Sequence, residues 1–121
     1  MSESLTEESF ISLQKNLLDN QLIILKFTAT WCVPCKNIKP ICDEYVQKLP
    51  KSIAYFEIDI DESLDLYIKL KKYRMVNGIP ALLAYKSDCK DLWYVPDDSQ
   101  LGGDKQKVKD FFERCIYYVN N

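Results

Sequence analysis

Cys32-Val33-Pro34-Cys35, with Trp31 before it and Lys36 after it, sets two thiols three residues apart. The motif falls where an apolar run, Leu22-Ile23-Ile24-Leu25-Lys26-Phe27, gives way to a helical pattern. A Cys at a helix start has its thiolate stabilised by unpaired backbone N–H groups and by the positive end of the helix dipole. A second Cys one turn on is close enough to form and break a disulfide with the first. Residue type, spacing and position together point to a redox pair.

The elements that must hold this pair follow from periodicity. Ser4-Leu5-Thr6-Glu7 has a capping-box pattern, and Phe10, Leu13 and Leu17 follow at helical spacing, which predicts a helix over 5–18. Residues 22–28 predict a strand with little alternation, as expected for one covered on both faces. A helix is expected over 33–48, with Pro34 in its first turn, where a missing N–H costs nothing, and Pro40 inside it as a source of a kink. Its buried face carries Ile38, Ile41, Cys42, Tyr45 and Leu49. A strand over 53–59 and a helix over 63–72 come next. Asn77-Gly78-Ile79-Pro80 reads as a turn into the strand Ala81-Leu82-Leu83-Ala84-Tyr85. Ser87-Asp88-Cys89-Lys90 reads as a hairpin turn into a strand at Leu92-Trp93-Tyr94-Val95. Val108, Phe111, Phe112, Cys115, Ile116 and Val119 mark a last amphipathic helix. The order α-β-α-β-α-β-β-α gives a parallel centre with an antiparallel edge.

Composition narrows the class. A chain of 121 residues, 47% hydrophobic and 28% charged, is expected to form one domain over 1–121 with a single real core. A net charge of −2 argues against nucleic acid as a partner, because no basic surplus exists to neutralise phosphates. Met1-Ser2-Glu3-Ser4 lacks the basic and apolar segments of a secretion signal, and no apolar run is long enough for a membrane span. Five cysteines, an odd number, and no histidine fit neither a secreted disulfide framework nor a Cys/His zinc site, so no metal is expected. A soluble protein of the reducing cytoplasm is the expectation. Cys42 and Cys115 lie on apolar helix faces and are expected to be buried, whereas Cys89 belongs to an exposed turn.

Several of these features stand in one order and spacing: Phe27-Thr28-Ala29-Thr30-Trp31-Cys32-Val33-Pro34-Cys35-Lys36, the helix Pro40, the acidic strand end Glu57-Ile58-Asp59-Ile60-Asp61, and Gly78-Ile79-Pro80. In these the chain resembles the thioredoxin family, over roughly residues 5–95 and with the last helix also in place. The resemblance implies an α/β thioredoxin fold: a central mixed sheet of four to five strands flanked by helices, βα units followed by a ββα unit. It also implies that Cys32 is the exposed attacking thiolate and Cys35 the resolving thiol. Pro80 would be a cis-proline facing them. Trp31, Val33, Pro34, Ile79 and Pro80 would contact the substrate chain.

Three positions depart from the family pattern. Val33 replaces the usual Gly of the active-site dipeptide, which tunes redox poise. Lys26 and Glu57 stand where bacterial members bury an Asp and pair it with a Lys on the next strand. One reading is a partly buried ion pair with exchanged charges, with Glu57 or neutral Lys26 handling the Cys35 proton; the other is that Lys26 extends to the sheet edge and plays no part. Burial disfavours the charged forms of amines and carboxylates alike, which suits both groups to proton transfer. After Val95, Pro96-Asp97-Asp98-Ser99-Gln100-Leu101-Gly102-Gly103 replaces a groove-lining Gly and a short link. A mobile acidic loop is expected there, either a solvated insertion of no consequence or one that selects basic substrates or a particular reductase.

The resemblance implies a monomeric thiol–disulfide oxidoreductase that reduces disulfides in other proteins and is recycled by a thioredoxin reductase. No cofactor is expected on this chain, which has no Gly-rich dinucleotide motif. The competing reading is a thioredoxin-fold adaptor whose groove binds a partner with little redox turnover.

Overall fold

The computed structural model describes residues 5–87 and 92–121. Eight elements follow in the expected order: α1 (Glu7–Lys15), β1 (Leu22–Thr28), α2 (Val33–Lys48), β2 (Ile53–Asp59), α3 (Asp65–Lys72), β3 (Ala81–Lys86), β4 (Asp98–Leu101) and α4 (Lys105–Asn120). The sheet order is β2-β1-β3-β4, with β1 parallel to β2 and the other two pairings antiparallel. β1 sits at the centre and is buried over almost its whole length, which explains its unbroken apolar run. Alternation sends Ile23, Leu25 and Phe27 into a core with Phe10, Leu66, Leu70 and Tyr85. Leu22 and Ile24 point the other way, into a core with Ile38, Cys42, Phe111 and Phe112. Lys26 shares that second face and is fully buried.

The helix termini show where the sequence reading was offset. α1 is shorter than the expected 5–18 at both ends, running Glu7–Lys15: Thr6 is the N-cap, and it exchanges hydrogen bonds with Ser9, not with a glutamate. α2 matches the expected 33–48 and runs unbroken through Pro40. α4 buries Val108, Phe111, Phe112, Cys115 and Val119, as its periodicity requires.

The last strand corrects the sequence reading. Leu92-Trp93-Tyr94-Val95 is not a strand; it forms a turn closed by the Val95 N–H on the Leu92 carbonyl. Aromatic packing decides this. Trp93 lies edge-on to Phe10 at 6.1 Å, and Tyr94 stacks on Tyr73 at 3.9 Å. Gln14 anchors the segment by donating to the Trp93 carbonyl at 2.9 Å. Pairing with β3 falls instead to polar Asp98–Leu101, with Ala84 opposite Asp98 and Ala81 opposite Leu101. The stretch expected as a mobile loop is thus largely an edge strand. The turn expected at Ser87-Asp88-Cys89-Lys90 lies mostly outside the described residues.

Candidate active site

The end of β1 and the start of α2 build the site. Cys32 is the N-cap of α2, in extended conformation (φ −87°, ψ 111°), and Pro34 occupies the first turn. The Cys35 backbone N–H donates to the Cys32 sulfur at 3.2 Å, so that sulfur takes the place of a capping oxygen. Cys32 and Cys35 are joined as a disulfide, with Cα atoms 5.2 Å apart. A helix start supplies both the donor and the positive dipole end that favour negative charge on this sulfur. One expectation is corrected. Cys32 is not widely exposed: it retains 5% of its surface against 2% for Cys35, because Ala29, Ile60 and Ile79 pack around the pair.

The flanking residues are arranged around Cys32. Trp31 is 62% exposed, and its indole N–H donates to the Asp61 carboxylate at 2.7 Å. Asp61 is itself held by its backbone N–H on the Asp59 carboxylate. Val33 and Pro34 are exposed beside it. From the opposite side comes the Ile79–Pro80 peptide, which is cis, with the Ile79 carbonyl oxygen 3.8 Å from the Cys32 sulfur.

Sequence reasoning missed the residues that close this side. Gly102 donates its N–H to the Pro80 carbonyl at 2.9 Å, with φ +100°. A Cβ on Gly103 would lie 3.1 Å from the Pro34 Cβ. Gly102 and Gly103 thus bring backbone against Pro80 and Pro34. The available signal was the Gly-Gly pair immediately before Asp104, which caps α4.

Lys26 and Glu57 lie opposite each other in the β1–β2 register, but they do not form the expected ion pair: none joins them among the described residues. Lys26 is buried and interacts with the Cys42 thiol, whereas Glu57 is exposed. Burial pushes the Cys42 thiol up, and Lys26 partly offsets that push. Beside β2, a cavity of about 760 Å³ connects Cys35 with Thr28, Lys39, Tyr55, Glu57 and Asp59. The Tyr55 hydroxyl is buried without a hydrogen-bond partner among the described residues, and burial raises its proton affinity. Cys115 is buried too, and its thiol is pushed up to about 12 by desolvation. No cluster of metal ligands occurs among the described residues, and no helix there is long and apolar enough to cross a membrane.

What this fold and this cysteine pair define is a thiol–disulfide oxidoreductase. The family model described as Thioredoxin matches residues 2–111. Thioredoxin of Ophiophagus hannah is 33% identical over 97 residues, covering 80% of this chain and 82% of that protein. Thioredoxin H4 of Arabidopsis thaliana is 40% identical over 52 residues, a match that spans 43% of this chain but only 44% of that relative's length. Among solved structures, Plasmodium falciparum thioredoxin superposes with a TM-score of 0.67 at 24% identity, covering 93% of this chain and 98% of that one. The reduced Schistosoma mansoni thioredoxin pre-protein gives 0.65 at 25%, covering 94% and 95%. The chain belongs to the thioredoxin family.

Proposed function

We propose that this chain reduces disulfides in other proteins, working as a single-domain monomer in the cytoplasm and carrying electrons from a thioredoxin reductase. The observation that carries the reading is the Cys35 N–H donated to the Cys32 sulfur at the start of α2. That contact stabilises negative charge on the sulfur nearer the surface. In the reduced protein the Cys32 thiolate attacks one sulfur of a substrate disulfide, and the other substrate sulfur leaves as a thiolate. The Cys35 thiolate then attacks Cys32 in the mixed disulfide. The second substrate sulfur leaves, and the Cys32–Cys35 disulfide remains. Two electrons pass to the substrate, whose thiolates take up two protons. The reductase returns two electrons to the pair.

The substrate chain lies along the groove between Trp31 and the Ile79–Pro80 step, touching Val33 and Pro34. Glu57 takes the Cys35 proton through the cavity that both residues line. Lys26, buried on β1 opposite Glu57, is the second candidate for handling that proton.

The experiment is alkylation of the reduced protein with iodoacetamide at neutral pH, resolved by peptide mass so that Cys89 is counted separately. Cys32 reacts faster than the same cysteine in the urea-unfolded chain. In parallel, a reductase-coupled assay reports turnover on a protein disulfide. Equal alkylation rates together with no turnover would sink the reading. Full biological activity of Cys32→Ser would favour the adaptor role instead.

A further inference from the structure

The groove beside the cysteine pair has Trp31 on one flank and the turn from α3 into β3 on the other. On the second flank lies a concavity of about 350 Å³ lined by Lys71, Arg74, Val76, Asn77 and Leu101. Leu101 lines this concavity and pairs with Ala81, the residue after Pro80, which sets one wall of it beside the Ile79–Pro80 step that faces Cys32.

Its charge is unbalanced. Lys71 and Arg74 are exposed, and neither side chain has a carboxylate partner among the described residues. Lys69, in the same basic run, is held by Glu7 at 3.4 Å. The acidic residues that were expected to set the sign of this region are engaged elsewhere. Asp98 holds Arg114 at 2.8 Å, Asp97 accepts the Lys86 backbone N–H at 2.8 Å, and Asp104 accepts the Lys107 N–H at 3.0 Å. On the Trp31 flank the Asp61 carboxylate accepts the indole N–H. The groove therefore has a free positive rim on its α3 side, although the chain carries a net charge of −2.

Building on the reductase reading above, we propose that Lys71 and Arg74 select substrates that carry Asp or Glu within about three residues of the attacked cysteine. The span follows from the backbone. An extended segment rises about 3.3 Å per residue, and Asn77 stands two residues from Ile79. A side chain two or three positions from the substrate cysteine thus lies over this rim. Exposed charge pairs are individually weak, so the rim confers a preference and a faster encounter, and salt screens both.

The test uses the full reduced chain and short peptides whose single cysteine is capped as a mixed disulfide with a chromogenic aryl thiol. Glu, Gln or Lys is placed two residues from the cysteine, on either side. At low salt the Glu peptide is reduced about three- to tenfold faster than the Lys peptide, with Gln between them. The ratio shrinks as salt is added, and it collapses towards one in Lys71→Gln/Arg74→Gln. Equal rates for the three peptides, or a preference that survives in the double variant, would overturn the inference. Failure to reduce any of them would overturn the reductase reading and this inference with it, a result distinct from equal rates.

Discussion

Lys26 and Glu57 occupy paired positions on β1 and β2, yet one is sealed inside the molecule and the other stands in solvent. Lys26 is a fully buried amine, and burying a polar group is costly unless it is well partnered. Lys26→Met keeps similar volume and removes that cost. The urea midpoint should rise by the equivalent of about 1–3 kcal/mol. The same variant should alter the pH dependence of disulfide reduction. A lower midpoint would mean that the buried Lys26 amine is a net stabiliser, and an unchanged pH profile would remove Lys26 from proton handling.

Cys35→Ser should trap the reaction half-way. With substrate disulfide added, mixed disulfides through Cys32 accumulate, since nothing remains to displace the bound sulfur. Non-reducing electrophoresis with peptide mapping reads the result. Recovery of only non-covalent complexes would reverse the assigned order of attack.

Gly102→Ala tests the turn that meets the cysteine pair. Its φ of +100° is disfavoured for any residue with a Cβ, at a cost of about 1–3 kcal/mol. The backbone shift also loosens the Gly102 N–H bond to the Pro80 carbonyl. Both the urea midpoint and turnover should fall. Gly103→Ala meets Pro34 instead and should reduce turnover more than stability.

Alkaline pH should destabilise the fold through Cys115, whose thiol moves from an ordinary 9.0 to about 12. Between those values the unfolded chain loses the proton that the folded chain keeps. Stability from this group is therefore full below pH 9.0 and declines as pH rises towards 12, with a slope of about 1.4 kcal/mol per pH unit. Urea titrations across this range should show that decline, and Cys115→Val should flatten it. The same burial predicts that Cys115 resists iodoacetamide at neutral pH in the folded protein, which a protection assay checks.

The core elements were legible because their signals are local. The unbroken apolar run of β1 marks a strand covered on both faces, and the spacing from Val108 to Val119 marks a helix with one buried face. The redox pair was equally legible: Cys-x-x-Cys at a strand-to-helix junction is a matter of sequence neighbours. The expectation of an ion pair at Lys26 and Glu57 failed for a different reason. Register sets the two residues side by side, but β1 is an interior strand and β2 an edge strand, so one side chain is sealed while the other reaches solvent.

The chain alone thus determined which two cysteines pair, the order of the elements, and the buried faces of its helices, since hydrophobic periodicity and helix capping act within a few residues. The tertiary structure decided the rest. It drew Trp93 and Tyr94 onto Phe10 and Tyr73, handed the edge strand to Asp98–Leu101, brought Gly102 against Pro80, and left Lys71 and Arg74 with no carboxylate partner among the described residues beside Leu101. Each of these outcomes is a competition between segments far apart in sequence for the same partners, and no local pattern records which one wins.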